Sequence, residues 1–284
     1  MNLVSRPLFK RLLKVLAGIL LFWAFSYLVL VILFQPSHER EWELGQEVLP
    51  HILFDGDLVT IKGFRNFDWQ DDSSAIPQYE TRSFSINDMD SVDVLISHFD
   101  DFEGLAHIFL SFGLTTGEQM VISFETRREV GEEFSPVLGI LRQFEIIYVV
   151  GSEEDIVGLR TDVRSERVYL YPTKASPKQA KALFRILATD INSVYEQPRI
   201  YNTLTNNCTN EITRRVEDIT EVSFPLSWKT VLPGYFDEIL YELNVIDSDA
   251  SFEEIKARHE INNNLVNRHK ETYRVDLRNS SRVE

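Results

Sequence analysis

From residue 15 to residue 34 the chain runs twenty residues without a charge. Leu, Ile, Val, Phe and Ala dominate the run, and Gly18, Ser26 and Tyr27 are mild interruptions. At a rise of about 1.5 Å per residue it covers roughly 30 Å, the thickness of a bilayer's hydrocarbon core. It is long and bulky for a cleavable signal, and no small-x-small cleavage site follows. The competing reading is a buried core helix. Every charge ahead of Gln35 is positive: Arg6, Lys10, Arg11 and Lys14. Such a flank stays on the cytoplasmic side. The expectation is a cytoplasmic N-terminus over residues 1–14 and a signal anchor over 15–34. A tether over 35–56 and everything beyond it then lie across the membrane.

The net charge is −15, from 29 basic and 44 acidic side chains. Beyond the anchor, 25 basic and 44 acidic residues remain. That excess argues against a phosphate-backbone binder, whose affinity rests on clustered Lys and Arg. No nucleic acid is expected as a partner. Cys208 is the single cysteine, so no internal disulfide supports the fold. No H-E-x-x-H motif, cysteine pair or Asp-rich glycine loop points to a metal. Neither a metal nor a cofactor is expected.

Periodicity outlines one α+β domain over residues 57–262. Strands are expected at 57–67, 81–86, 92–99, 144–150 and 167–170, with a loop at 69–79. Residues 106–114 and 119–125 read as a hairpin around Thr115, Thr116 and Gly117. A helix opens at Ser176, where Pro177 fits the first position and Gln179 completes a capping box. Ala180, Leu183, Phe184, Leu187, Ile191, Val194 and Tyr195 give it one apolar face. A second helix follows Asn207, with Cys208, Ile212, Val216 and Ile219 on one stripe, and a third is expected at 235–243. Residues 263–284 read as a polar tail, mobile from Arg268.

Seven of the ten residues in Y-N-T-L-T-N-N-C-T-N, 201–210, are Asn or Thr, which favour turns and caps. Cys208 then falls in the first turn of a helix, where free N–H groups and the helix dipole favour a thiolate. The same N–H groups could hold an oxyanion, with Asn207 and Tyr201 beside them. The competing reading keeps Cys208 as a small hydrophobe on the Ile212 stripe.

A thiol nucleophile needs a base. His38 and His51 lie near the tether, His259 and His269 in the polar tail, and His98 ends a strand. His107, inside A-H-I-F-L-S-F-G, is the imidazole best held by a sheet, although a histidine on such a strand can simply find a hydrogen-bond partner. With a three-residue hairpin loop, His107 faces Glu125, and directly opposed side chains lie about 5 Å apart. Glu125 would then orient the ring, with Ser123 on the same face as its substitute. Alternatively Glu125 pairs with Arg127 or Arg128 on a solvated strand end.

A-H-I-F-L-S-F-G, I-S-F-E-T-R-R-E, R-Q-F-E-I-I-Y-V-V, Y-L-Y-P, A-S-P-K-Q-A and Y-N-T-L-T-N-N-C-T together resemble the Lnb N-terminal periplasmic domain family. G-F-R-N-F near Arg65 is similar to its opening. The resemblance implies a permuted papain-like fold, related to NlpC-type thiol hydrolases, with an antiparallel sheet packed by helices. It implies a place in the periplasm, on a single-pass anchor in a bacterial inner membrane. It implies the roles of nucleophile for Cys208 and base for His107, and leaves Glu125 and Ser123 open as the third residue. The function expected is cleavage or transfer at an amide or peptide bond of the cell envelope. A lipid acyl substrate is the alternative, and a non-catalytic binding or assembly-assisting module is the rival from another class. On the catalytic reading, the reactive atoms of His107 and Cys208 should lie within about 4 Å, with a depressed thiol pKa and a protonated His107.

Overall fold

The computed structural model describes residues 6–261, 268–270 and 272–280. The expected domain end at residue 262, positions 263–267, 271 and 281–284 of the tail, and residues 1–5 lie outside them. The first helix, α1 (Arg6–Leu33), contains an apolar stretch, Phe9–Leu33, long and apolar enough to cross a membrane. It is not a core helix: Leu21 is 70% exposed and Leu33 69%.

The strands are β1 (His51–Asp55), β2 (Leu58–Arg65), β3 (Asp68–Asp71), β4 (Ser74–Ile76), β5 (Tyr79–Ser85), β6 (Met89–His98), β7 (Ala106–Leu114), β8 (Gln119–Arg127), β9 (Glu145–Gly151) and β10 (Arg167–Pro172). The main sheet runs β1-β2-β9-β8-β7-β6-β10, and β5 also pairs with β2. An antiparallel sheet was the expectation. The sheet is mixed, because β2 meets β9 in parallel at Arg65 and Gly151. The expected loop at 69–79 instead holds the β3–β4 hairpin and buries Trp69.

β7 and β8 pair as the three-residue loop requires. Phe109 faces Ser123 and Gly113 faces Gln119, and Leu114 N donates to Glu118 O at 2.9 Å. Alternation along β7 sorts its side chains between two cores. Ile108, Leu110 and Phe112 join the larger one, under α4 (Pro177–Glu196), α5 (Cys208–Ile219) and α7 (Phe236–Glu242). Phe109 joins the smaller one, with Ile156 and Val157 of α3 (Glu153–Gly158) and Tyr273 and Leu277 of α9 (Tyr273–Ser280). Two short helices, α2 (Pro136–Ile140) and α6 (Trp228–Val231), lie in loops, and α8 (Phe252–His259) precedes the C-terminal segment.

Ser176 caps α4 with the full capping box, and Leu183, Phe184, Leu187, Ile191 and Val194 are buried. Tyr195 is not on that face. It is 43% exposed and stacks on His51 at 4.4 Å. Two other expectations fail for one reason, the contact of the segment after α1 with β8. Trp42 and Gln46 are buried, and the Arg127 guanidinium lies 4.0 Å over the Trp42 ring and donates to Gln46 O at 2.9 Å. The tether is therefore packed against the domain, and Arg127 is a buried cation rather than a solvated strand end. Within the end expected to be mobile, α9 is likewise docked. Tyr273 and Leu277 are 1% exposed, and Arg278 pairs with Asp93 and Glu153 at 2.7 Å each.

Candidate functional site

His107 is the second residue of β7, and its ring stacks on Phe109, two positions along the same face. Its Nε2 lies 2.7 Å from Ser123 Oγ. Ser123 Oγ donates to Glu125 Oε1 at 2.8 Å, and Glu125 itself is 3.9 Å from Nε2. The two candidates for the third residue therefore act in series. Arg160 Nη2 donates to the same Glu125 oxygen at 2.9 Å. Its guanidinium also donates to Ile156 O at 2.7 Å and lies over the Phe109 ring, 4.7 Å from its centroid.

These bonds assign the tautomer of His107. Burial pushes the Glu125 carboxyl up, but Arg160, with His107 and Arg65, overrides it and holds the group well below the usual carboxylate range. An ionised carboxylate only accepts, so the Ser123 hydroxyl proton points to Glu125. Ser123 Oγ must then accept from Nε2–H. Nδ1 is left with its lone pair, which is the form a general base requires.

Cys208 opens α5 as expected, and Asn207 is the N-cap, accepting from Asn210 N at 2.9 Å through Oδ1. The Asn207 amide also donates to Thr203 O at 2.8 Å. Its side chain thus builds the turn before the cysteine. Tyr201 is buried beside the thiol, and burial raises its phenol pKa, with Cys208 adding to the rise. α2 packs tightly over this segment: a Cβ on Gly139 would meet Thr203 Oγ1 at 2.3 Å. Burial also pushes the Cys208 thiol up, while backbone amides of Ile108 and Thr209 act in the opposite sense.

One cavity of about 560 Å³ is lined by His107, Glu125, Arg160, Tyr201, Asn207 and Cys208. It lies where β6 ends, β7 begins and β8 ends, since Phe99, Ala106 and Thr126 also face it. Cys208 reaches it from the side of the larger core, next to Ile108. His107 reaches it from the Phe109 side of β7. Among the described residues, no hydrogen bond joins the thiol to the imidazole. The expected thiolate–imidazolium pair is also absent at rest. Burial first, and Arg160 second, hold His107 at about 3, so both partners are neutral near pH 7.

Arg160 was not among the residues expected here. It sits in a single π-type turn, residues 159–163, directly after α3, and Arg164 N closes that turn on Leu159 O at 3.0 Å. The available signal was S-E-E-D at 152–155, an N-cap and acidic first turn that place a helix start before the two arginines. No group of His, Cys, Asp and Glu among the described residues is arranged to hold a metal ion.

Neither a curated protein nor a solved structure matches the chain. The model of the Lnb N-terminal periplasmic domain matches residues 75–234, a span that contains His107, Ser123, Glu125, Arg160 and Cys208. That span is more than half of the 284 residues, and the chain belongs to the Lnb N-terminal periplasmic domain family.

Proposed function

We propose that this protein is a thiol hydrolase or acyltransferase, held by α1 in a bacterial inner membrane with its domain in the periplasm. The observation that carries the reading is the relay His107–Ser123–Glu125–Arg160, which leaves Nδ1 its lone pair on a histidine that lines the same cavity as a cysteine at a helix N-terminus. The order of histidine strand before cysteine helix is that of a permuted papain-like fold, the class to which we assign the domain.

In the proposed reaction the pair rests neutral. As Cys208 Sγ bonds to the substrate's carbonyl carbon, the thiol proton passes to His107 Nδ1. Backbone N–H groups at the start of α5 receive the oxyanion. The carbonyl–leaving-group bond breaks, and the departing amine or alcohol takes the proton from Nδ1. Water or an amine then attacks the thioester, gives up its proton through His107, and Cys208 returns as the thiol. An amide or peptide bond of the envelope is the proposed substrate, and a lipid acyl group is the alternative from the same chemistry. The full chain is incubated with envelope extract and Cys208 is examined by mass spectrometry. An acyl adduct that is lost in Cys208→Ala and forms more slowly in His107→Ala supports the reading. No adduct on the wild type overturns it.

A second reading, a binding or assembly-assisting module with an inert thiol, is favoured by the missing hydrogen bond between Cys208 and His107. It predicts that no acyl adduct forms on Cys208, with or without His107.

A further inference from the structure

In a chain of net charge −15, the cavity is lined by three arginines, Arg128, Arg160 and Arg164. Two of them are neutralised at close range. Arg128 pairs with Glu43 at 2.7 Å and Arg160 with Glu125 at 2.9 Å. Arg164 differs. Its nearest carboxylate, Glu166, is 3.7 Å away, which is an ion pair without a hydrogen bond, and Glu166 already accepts from Ser97 Oγ at 2.5 Å. Among the described residues, none accepts a hydrogen bond from the Arg164 guanidinium, although its side chain is two-thirds covered.

The fold also pushes this cation towards its own kind. Burial lowers the Arg164 pKa, and Arg160 and Arg128 lower it further, while Glu166 and Glu125 oppose them. Through the π-type turn and its C-cap, Arg160 and Arg164, four positions apart, both line the cavity. A guanidinium offers five N–H donors in a planar fork that matches a carboxylate or phosphate. Placed beside two other arginines with no acceptor for its donors among the described residues, this cation favours the arrival of an oxyanion. The lining also has an apolar part, which includes Phe134, Ile140 and Leu232.

We infer that Arg164 is the anchor of an anion subsite, and that the substrate carries a carboxylate or phosphate next to an apolar portion. The inference rests on the proposed use of this cavity. Arg164 would grip the oxyanion in a bidentate fashion, Arg128 would add long-range attraction, and the apolar wall would take the rest of the molecule. Asp100 and Glu166, also in the lining, would repel a substrate with a second, misplaced negative group.

The experiment uses the full chain in non-ionic detergent on a Cys208→Ala background, so that no chemistry is needed. Binding of inorganic phosphate and of acetate is measured by calorimetry against chloride at equal ionic strength, because exposed charges are screened alike. Binding of either anion, weakened about tenfold in Arg164→Gln by the loss of one charge-assisted contact, supports the subsite. Arg164→Lys should fall between the two. Tighter phosphate identifies a phosphate-bearing substrate, and tighter acetate a carboxylate. Undiminished binding in Arg164→Gln, or binding of neither anion, overturns the inference. Anion binding alongside an unreactive wild-type Cys208 would keep the subsite and remove the hydrolase reading, so the two failures are separable.

Discussion

Two arginine–carboxylate centres lie on the α3 side of the sheet, and they are finished differently. At the first, Asp155 is fully buried and saturated. It accepts from Arg65 Nε and Nη2 at 2.9 Å each, from Phe67 N at 2.9 Å and from Trp69 Nε1 at 2.8 Å. Arg65 also donates to Gly45 O at 3.1 Å and lies over the Phe67 and Trp69 rings. At the second, Glu125 is 19% exposed and accepts from Ser123 and Arg160, while His107 and Arg164 line a cavity. The first centre joins α3 to β2 and β3, and each oxygen of its carboxylate accepts two hydrogen bonds. The second holds its groups in place yet leaves, among the described residues, one imidazole nitrogen without a protein hydrogen bond and one cation, Arg164, with only a 3.7 Å ion pair to Glu166. Buried polar groups that are fully matched serve the fold, and unmatched ones beside a cavity are available to a ligand.

The contrast is broken most sharply through stability. Asp155→Ala leaves the Arg65 cation buried without its partner and should cost about 3–5 kcal/mol. Glu125→Gln should cost about 1–3 kcal/mol, because Arg160 keeps Ile156 O and Phe109 and the site is partly wet. Denaturant unfolding of both variants checks the order, and equal losses would erase the distinction. Ser123→Ala should cost least, about 0.5–1.5 kcal/mol, the range of one neutral hydrogen bond.

Acid should act chiefly through the histidines. His107 is held at about 3 and His98 at about 4, both below the ordinary 6.5, with burial the leading cause in each. His98 is 4% exposed, its ring nitrogens make no hydrogen bond, and Glu103 lies 3.9 Å away. A lowered histidine favours the neutral form, so its contribution is complete above about 6.5 and is lost as pH falls towards 3. Melting temperatures measured from pH 7 to pH 4 should fall, and less steeply in His98→Gln. A flat wild-type profile would contradict the assignment.

The smallest expected effect concerns the thiol. Because burial raises Cys208 and His107 rests neutral, alkylation by iodoacetamide should rise only above the ordinary thiol range. Its midpoint should hardly move in His107→Ala. A midpoint below 7 that rises in the variant would restore the ion-pair picture.

Much of this was legible in the chain. The Ser176 capping box, the apolar face from Leu183 to Val194 and the three-residue turn at Thr115–Gly117 are local, so short-range patterns report them. The turn in turn fixed which β8 residues meet His107. The segment around Trp42, the Asp155 cluster and the docking of α9 depend on partners 80 or more positions away, such as Arg127 to Gln46. No local pattern carries that information.

What the residues alone determined is the apolar N-terminal helix, the hairpin register, the N-cap before Cys208 and membership of a family through its motifs. Tertiary structure decided the protonation states, because burial and the approach of Arg160 set them. It also decided the serial use of Ser123 and Glu125, and the meeting of Cys208 and His107 in one cavity from two sides of β7. Alternation within a strand assigns a side chain to a face, but only the packing of helices on both faces determines whether a cavity at the strand's end joins them.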